Sequence, residues 1–344
     1  MWYVGMDVHK DSTVLNLFDP AAEPARRHRL ITVPTTREGL ESALKPLNRQ
    51  CKVAYEVGIQ AQWVAEIVRP LASEVQVANP SRIPWLFRDG RKNDSIDARK
   101  LATLLHLDQL PCVYLPRAEV SAWRSLINSR RGIIKRRTMV KNQIRSILRA
   151  EMLRCPHRSL WTRRGLGWLR EQALDEARQG MIRRLLRELA MIEANREELE
   201  QELDRIAERY PAVAHLRTIP GIGPRCAEAI VAYADDIRRF GRSRQFASYF
   251  GMTPTQDASG LVNRYGHISK RGPSVVRWVL VEAAHQVIRH CGVVQAFCRR
   301  IWRGRKDRYK KAIVATGRKL LTVMFAMLRD QTPFDPTRWV RPAA

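Results

Sequence analysis

MWYVGMDVHKDSTVLNLF, residues 1–18, reads as two short strands, Trp2–Val8 and Ser12–Phe18, with polar residues between them. Both runs are rich in β-branched and aromatic side chains, and a third, Leu30–Val33, continues the pattern into a meander. The period then alternates between helix and strand. A helical stretch around Glu38–Leu47 leads to a strand at Lys52–Val57, a helix at Ala61–Leu71, a strand at Val75–Ala78 and a helix beginning near Asp94. The order βββαβαβα predicts an α/β domain over residues 1–110, a mixed sheet covered by helices.

Beyond that domain the strand signals disappear. Val120, Trp123, Ile127, Ile134, Val140, Ile144 and Ile147 recur at spacings that one side of a helix can hold. After a break at Pro156, Gly165 and Gly167, a second run follows: Ile182, Leu185, Leu189, Ile192, Arg196, Leu199, Leu203 and Ile206 alternate three and four apart. This is a heptad seam interrupted once, by Arg196. Residues 111–210 are therefore expected to be a basic helical, coiled-coil connector. The two runs pair as an antiparallel hairpin or the seam joins a second protomer, and self-association is the expectation carried forward. Residues 211–330 read as a mostly α C-terminal domain with a loop rich in turn formers at 251–274, and 331–344 as a tail.

Lys and Arg number 61 against 34 Asp and Glu, a formal charge of +27, and such a surplus calls for a polyanionic partner. Arg130, Arg131, Lys135, Arg136, Arg137, Lys141 and Arg145 crowd the first helical run, where phosphate backbones are expected to lie. Anionic membranes also attract basic chains. However, no run of 18 apolar residues occurs, and the N-terminal MWYVGMDVHK carries acid and base where a signal core would be apolar. A cytoplasmic, nucleoid-associated protein is the expectation. The six cysteines form no C-x-x-C pair, which argues against a zinc knuckle or a disulfide framework.

Four acids stand out by position. Asp7 interrupts the apolar first strand, Glu56 ends the fourth, and Asp94 and Asp97 sit three apart on one face of a helix. Strands one and four are commonly neighbours in this kind of sheet, so the acids can converge. Converging carboxylates repel unless divalent cations lie between them, and hard oxygen ligands suit Mg²⁺ or Mn²⁺. The plainer alternative makes Asp94 a helix N-cap with Asp97 in the first turn, and Asp7 a strand-end residue.

GMDVHKDS, the YEV of strand four and RDGRKNDSIDARKLA resemble the N-terminal domain of the DEDD-type insertion-sequence transposases, which are bridge-RNA-guided recombinases. That domain is similar in fold to the RuvC resolvase and ribonuclease H. The resemblance implies that Asp7, Glu56, Asp94 and Asp97 are a metal-binding tetrad, with Asp11 and Asp89 outside it. It extends to the other end of the chain, where YFGMTPTQDASGLVNRYGHISKRGPSVVRWVLVEAA resembles the family's C-terminal transposase domain. By residue chemistry alone, Ser259 before Gly260 is a solvated turn serine. The resemblance implies instead that it is the nucleophile of a 5′-phosphoserine link to DNA. Many relatives carry two serines there. Ala258 takes the first place in this chain and leaves Ser259 alone. Arg264, Lys270 and Arg271 would then neutralise phosphate charge.

Ile219–Gly223 has the form of a helix-hairpin-helix turn, in which Gly221 and Gly223 let backbone N–H groups approach a phosphate, or of an ordinary glycine-rich turn. The resemblance further implies that the two sites meet between protomers, that a tetramer holds donor and target DNA, and that a structured RNA specifies both. Two other readings stay open: a metal-only nuclease in which water attacks, and a non-enzymatic nucleic-acid scaffold.

Overall fold

In the computed structural model the described residues are 1–79, 93–259 and 262–339. Asp89 and residues 88–92 of the RDGRKNDSIDARKLA stretch lie outside them. The chain divides into two compact units, Met1–Ser121 and Ala122–Ala344.

The first unit is a mixed α/β layer. In chain order it contains β1 (Trp2–Val8), β2 (Ser12–Phe18), β3 (His28–Pro34), α1 (Arg37–Leu44), β4 (Cys51–Glu56), α2 (Ala61–Val68), β5 (Glu74–Ala78) and α3 (Asp94–His106). The sheet order is β3-β2-β1-β4-β5, with β1 to β3 antiparallel and β1, β4 and β5 parallel. This topology is consistent with the ribonuclease H-like fold that the resemblance implied. Alternation along each strand gives the sheet two apolar faces. Val4, Met6, Val53 and Tyr55 pack with α1 and α2, whereas Ala54 and Ala78 pack with Leu101, Leu104 and Leu105 of α3.

Met6 stands opposite Tyr55 in the parallel β1–β4 ladder. One step further along each strand are Asp7 and Glu56, which alternation assigns to the α3 side. Gly5 fixes how close α3 comes: a Cβ there would sit 2.0 Å from the Ala98 carbonyl oxygen and 2.5 Å from the Ala102 nitrogen. Any side chain would push the helix off the sheet.

In the second unit, α4 (Ala118–Ala150) and α6 (Glu176–Ala207) flank the short α5 (Arg163–Arg170). Arg130 reaches Glu200 at 2.6 Å, Arg137 reaches Glu193, and Glu151 reaches Arg178 at 3.0 Å. Partners further along α4 lie earlier on α6, so the pair is an antiparallel hairpin. The seam thus pairs within the chain, in place of the self-association expected from the sequence, because α4 offers it an apolar face and complementary charges. Ile182, Leu189 and Ile192 of the seam are buried against Ile133, Val140, Ile144 and Leu148 of α4. Ile133 and Leu148 take the places expected of Ile134 and Ile147, a small phase difference around the helix.

The rest of the unit comprises α7 (Pro211–Arg217), α8 (Pro224–Ala234), α9 (Ser243–Tyr249), β6 (Pro254–Ser259), β7 (Val262–Ile268), α10 (Ser274–His290), α11 (Gly292–Trp302) and α12 (Lys306–Asp330). Trp123 and Ile127 of α4 and Leu203 of α6 belong to the same core as these helices. The segment expected to be a loop at 251–274 is largely a two-stranded antiparallel ribbon. The basic stretch Arg299–Lys311 runs into α12, whose Ile313, Leu320, Leu321, Met324 and Phe325 are buried in that core.

Candidate functional site

Asp7 and His9 are two apart on one side of the chain as it leaves β1, and α3 brings Asp94 to meet them. His9 Nε2 lies 3.3 Å from Asp7 Oδ2 and 3.2 Å from Asp94 Oδ2. Among the described residues, ligand atoms of Asp7, His9 and Asp94 all fall within 4.8 Å of one another. Burial pushes the Asp7 carboxyl above the usual carboxylate range, His9 pulls it down, and Asp94 and Asp97 push it up again. Such a group of crowded acids gains most when a cation neutralises it.

Asp97 is one turn along α3 from Asp94 and within electrostatic reach of Asp7. Glu56 ends the neighbouring strand, half-buried, and is not part of the close trio. His9 lies outside the four acids that stand out in the sequence, and it has no metal-ligand spacing with the cysteines. The spacing D-x-H at a strand end could have found it. The plainer reading of Asp94 as an N-cap is overturned: Asn93 caps α3, its side chain accepting from the Ser95 N–H. That leaves the Asp94 carboxylate for His9 and for an ion. Two carboxylates and an imidazole in one small shell fit a divalent cation that prefers oxygen and tolerates nitrogen.

In the second unit, β6 ends at Ser259, which pairs with Val262 of β7 across residues 260 and 261, themselves outside the described set. Arg264, Lys270 and Arg271 are exposed along this ribbon and at its base. The base is narrow. Gly251 (φ +68°) and Gly272 (φ +89°) occupy left-handed backbone, and a Cβ on either would lie 2.0 Å from a carbonyl oxygen of the opposite side. Ser269 N–H donates to the Thr253 carbonyl at 2.8 Å, and Lys270 N–H to that of Gly251 at 3.2 Å.

A transposase family model of the DEDD IS110 type matches residues 4–152, and one described as the transposase IS116/IS110/IS902 family matches residues 213–299. Together they span more than half of the chain, in order. The chain belongs to the IS110-family transposases. A "probable family 20 transposase" of Pseudomonas aeruginosa is 29% identical over 298 residues, covering 83% of this chain and 86% of its own. The transposase of insertion sequence IS1111A from Coxiella burnetii is 26% identical, covering 83% of this chain and 78% of its own. A pilin gene-inverting protein of Moraxella lacunata is 33% identical over 124 residues, covering 35% of this chain and 38% of its own. As an IS110-family transposase the chain is an enzyme that acts on DNA by phosphoryl transfer, and the DEDD-type domain suggests a divalent metal.

The basic residues of this transposase separate into two groups. Arg130, Arg137 and Lys141 face the acids of α6, Lys141 at 4.0 Å from Glu193. Arg131 donates to Ser274 Oγ at 2.6 Å. The charge of Arg130, Arg137 and Lys141 is largely spent inside the unit. Lys135, Arg136 and Arg145 are exposed, as are Arg149, Arg154, Arg158, Arg170, Arg183, Arg184 and Arg187 around the far end of the hairpin. Two open clefts there have volumes of about 700 and 600 Å³; Arg170, Arg183, Arg184 and Arg187 line the first, and Arg145, Arg149, Arg154 and Arg158 the second. In the Ile219–Gly223 turn, Gly221 (φ +94°) backs onto α10, where a Cβ would lie 2.7 Å from the Val287 nitrogen, whereas nothing crowds Gly223 at the N-terminus of α8. Gly221 is therefore explained by packing, and Gly223 keeps open approach to the backbone. No helix among the described residues is long and apolar enough to cross a membrane.

Proposed function

We propose that this transposase exchanges DNA strands through a 5′-phosphoserine on Ser259. Asp7, Glu56, Asp94 and Asp97, joined by His9, would hold Mg²⁺ or Mn²⁺ for the reaction. The observation that carries the reading is the gathering of Asp7, His9 and Asp94 within 4.8 Å in a chain of this family. Ser259 Oγ attacks the phosphorus, the O–P ester forms, and the P–O3′ bond breaks to release a 3′-hydroxyl. A second 3′-hydroxyl then attacks the ester, so bond energy is kept and no net hydrolysis occurs. When bound, the divalent ion supplies charge neutralisation at the phosphate. Asp7, His9 and Asp94 would hold it, each through the one side-chain atom that faces the cluster. Arg264, Lys270 and Arg271 draw the phosphate to the ribbon.

The Moraxella relative is named for inverting a gene, an outcome that requires cut DNA ends to be rejoined. This agrees with exchange rather than hydrolysis. The exposed arginines of the hairpin's far end, with Lys135, Arg136 and Arg145, are the phosphate contacts, and Gly223 adds a backbone contact at α8. A structured guide RNA and a homo-oligomer, tetrameric on paired DNA with the two sites meeting between protomers, complete the proposal on the strength of the family resemblance.

The test is a denaturing gel after incubation with labelled junction DNA and Mg²⁺. Protein should stay attached to a 5′ end in the wild type, and attachment should vanish in Ser259→Ala and in Asp7→Asn. Cutting that persists in Ser259→Ala identifies a metal-only nuclease, and activity untouched by Asp7→Asn removes the metal site from the chemistry.

A further inference from the structure

Among the described side chains of the β6–β7 ribbon, Thr255, Gln256, Asp257, Asn263, Arg264, Tyr265 and His267 are all exposed, and Ile268, at its root, packs on the C-terminal core. A bare two-stranded ribbon is marginally stable and has no preferred direction unless something at its root imposes one.

At that root lies Arg277 on the first turn of α10. Its Nη1 donates to the carbonyls of Gly272 at 2.9 Å, Phe250 at 3.2 Å and Arg271 at 3.3 Å. Phe250 precedes β6, and Arg271 and Gly272 follow β7, so one half-buried guanidinium ties the incoming and outgoing chain together. The contact is compact because Gly251 and Gly272 allow the two backbones to touch. We propose that Arg277 is a positioning residue, a clamp that fixes the direction in which the ribbon presents residue 259 to DNA. It rests on the reading of Ser259 as the attacking hydroxyl.

The two N–H groups of Nη1 are shared among three carbonyls, and these charge-assisted bonds from a planar donor favour one arrangement of the root. The ribbon is a lever about 20 Å long. A tilt of about 3° at the root moves its tip by about 1 Å, enough to cost about 10²-fold in rate. A residue that merely stabilised the unit would instead lower melting temperature and DNA affinity, and leave attachment per bound DNA intact.

The experiment uses the full-length protein, with labelled junction duplex and Mg²⁺, and compares wild type, Arg277→Gln, Arg277→Lys and Ser259→Ala. In Arg277→Gln, single-turnover attachment should fall by about 10²-fold while duplex affinity stays within about twofold. Amide exchange across 253–269 should quicken. Arg277→Lys, which keeps the charge and one set of donors, should recover part of both losses. Ser259→Ala should abolish attachment with wild-type exchange. Wild-type attachment in Arg277→Gln, or unchanged exchange across 253–269, overturns the clamp. Should Arg277→Gln fail to fold, Arg277→Lys decides: slowed attachment with quickened exchange supports the clamp, and wild-type behaviour in both overturns it. If Ser259→Ala still attaches, the Ser259 reading fails, and the exchange arm judges the clamp separately.

Discussion

A methyl group on Gly5 would enter backbone atoms of α3, 2.0 Å from the Ala98 oxygen. Gly5→Ala must therefore lift α3 from β1 and carry Asp94 and Asp97 away from Asp7. The expected cost is about 1–3 kcal/mol, read as a lower melting temperature, together with loss of any stabilisation by divalent ions. Asp7→Asn tests the same cluster without disturbing packing. It removes the burial penalty that chiefly raises the Asp7 carboxyl, and with it the repulsion from Asp94 and Asp97, so the ion-free melting temperature should hold or rise, while the increment from added Mg²⁺ or Mn²⁺ should disappear. A full increment in Asp7→Asn would put the ion somewhere else. At this scale the sequence yielded Asp7, an acid inside an apolar strand, and Asp94, whose place at a helix start is ordinary and gains meaning only from its spacing to Asp97. It did not yield His9, whose meaning depends on Asp94 arriving from a distant helix, or the capping role of Asn93, which only backbone geometry reveals.

Glu228 shows how a single buried acid conditions an element. It lies on the face of α8 turned to the core, 1% exposed, with Arg225 Nη2 at 2.8 Å from Oε1 but no well-formed hydrogen bond at either oxygen. Burial pushes its carboxyl up to about 7, with Arg225 pulling down and Asp204 pushing up. Because the folded value exceeds the unfolded one, the native state holds the proton more tightly. Stability is then full at pH values below the unfolded carboxylate range and falls as pH rises through about 7. Glu228→Gln should leave stability at pH 4 nearly unchanged and raise it at pH 8 by on the order of 3 kcal/mol, measured by urea unfolding at the two pH values. A variant that is less stable at pH 8 would mean that the Arg225 pair outweighs the desolvation. The five strands of the sheet were legible because alternation and β-branched residues mark half-buried strands. The β6–β7 ribbon was less so, since it is polar on both faces and has no period to read. Likewise, the charged opening of α12 masked the apolar stripe that follows it.

For the molecule as a whole, a charge of +27 is an electrostatic commitment to a polyanion, but only part of it faces solvent. Arg130, Arg137 and Lys141 are engaged by Glu193 and Glu200, so charge counted along the helix overstates what DNA or RNA can reach. Replacing Arg183, Arg184 and Arg187 together with Gln should lower the slope of log affinity against log salt by about 3. Arg137→Gln should leave that slope alone and lower the melting temperature instead. If the shaft variant changes the slope and the tip variant does not, the contact surface is the shaft. Arg196, the one charged residue in the apolar seam, lies 2.8 Å from Glu193 and 3.3 Å from Glu200, the same acids that bind α4. Apolar heptads alone can slide by one repeat, whereas this knot of six charges closes in a single register. Seven residues added to each helix beyond the knot would carry the far end outward by about 10 Å without shifting the near end. The paired helices thus behave as a ruler whose zero mark is Arg196, with a reach that changes in whole heptads while everything below the mark stays in place.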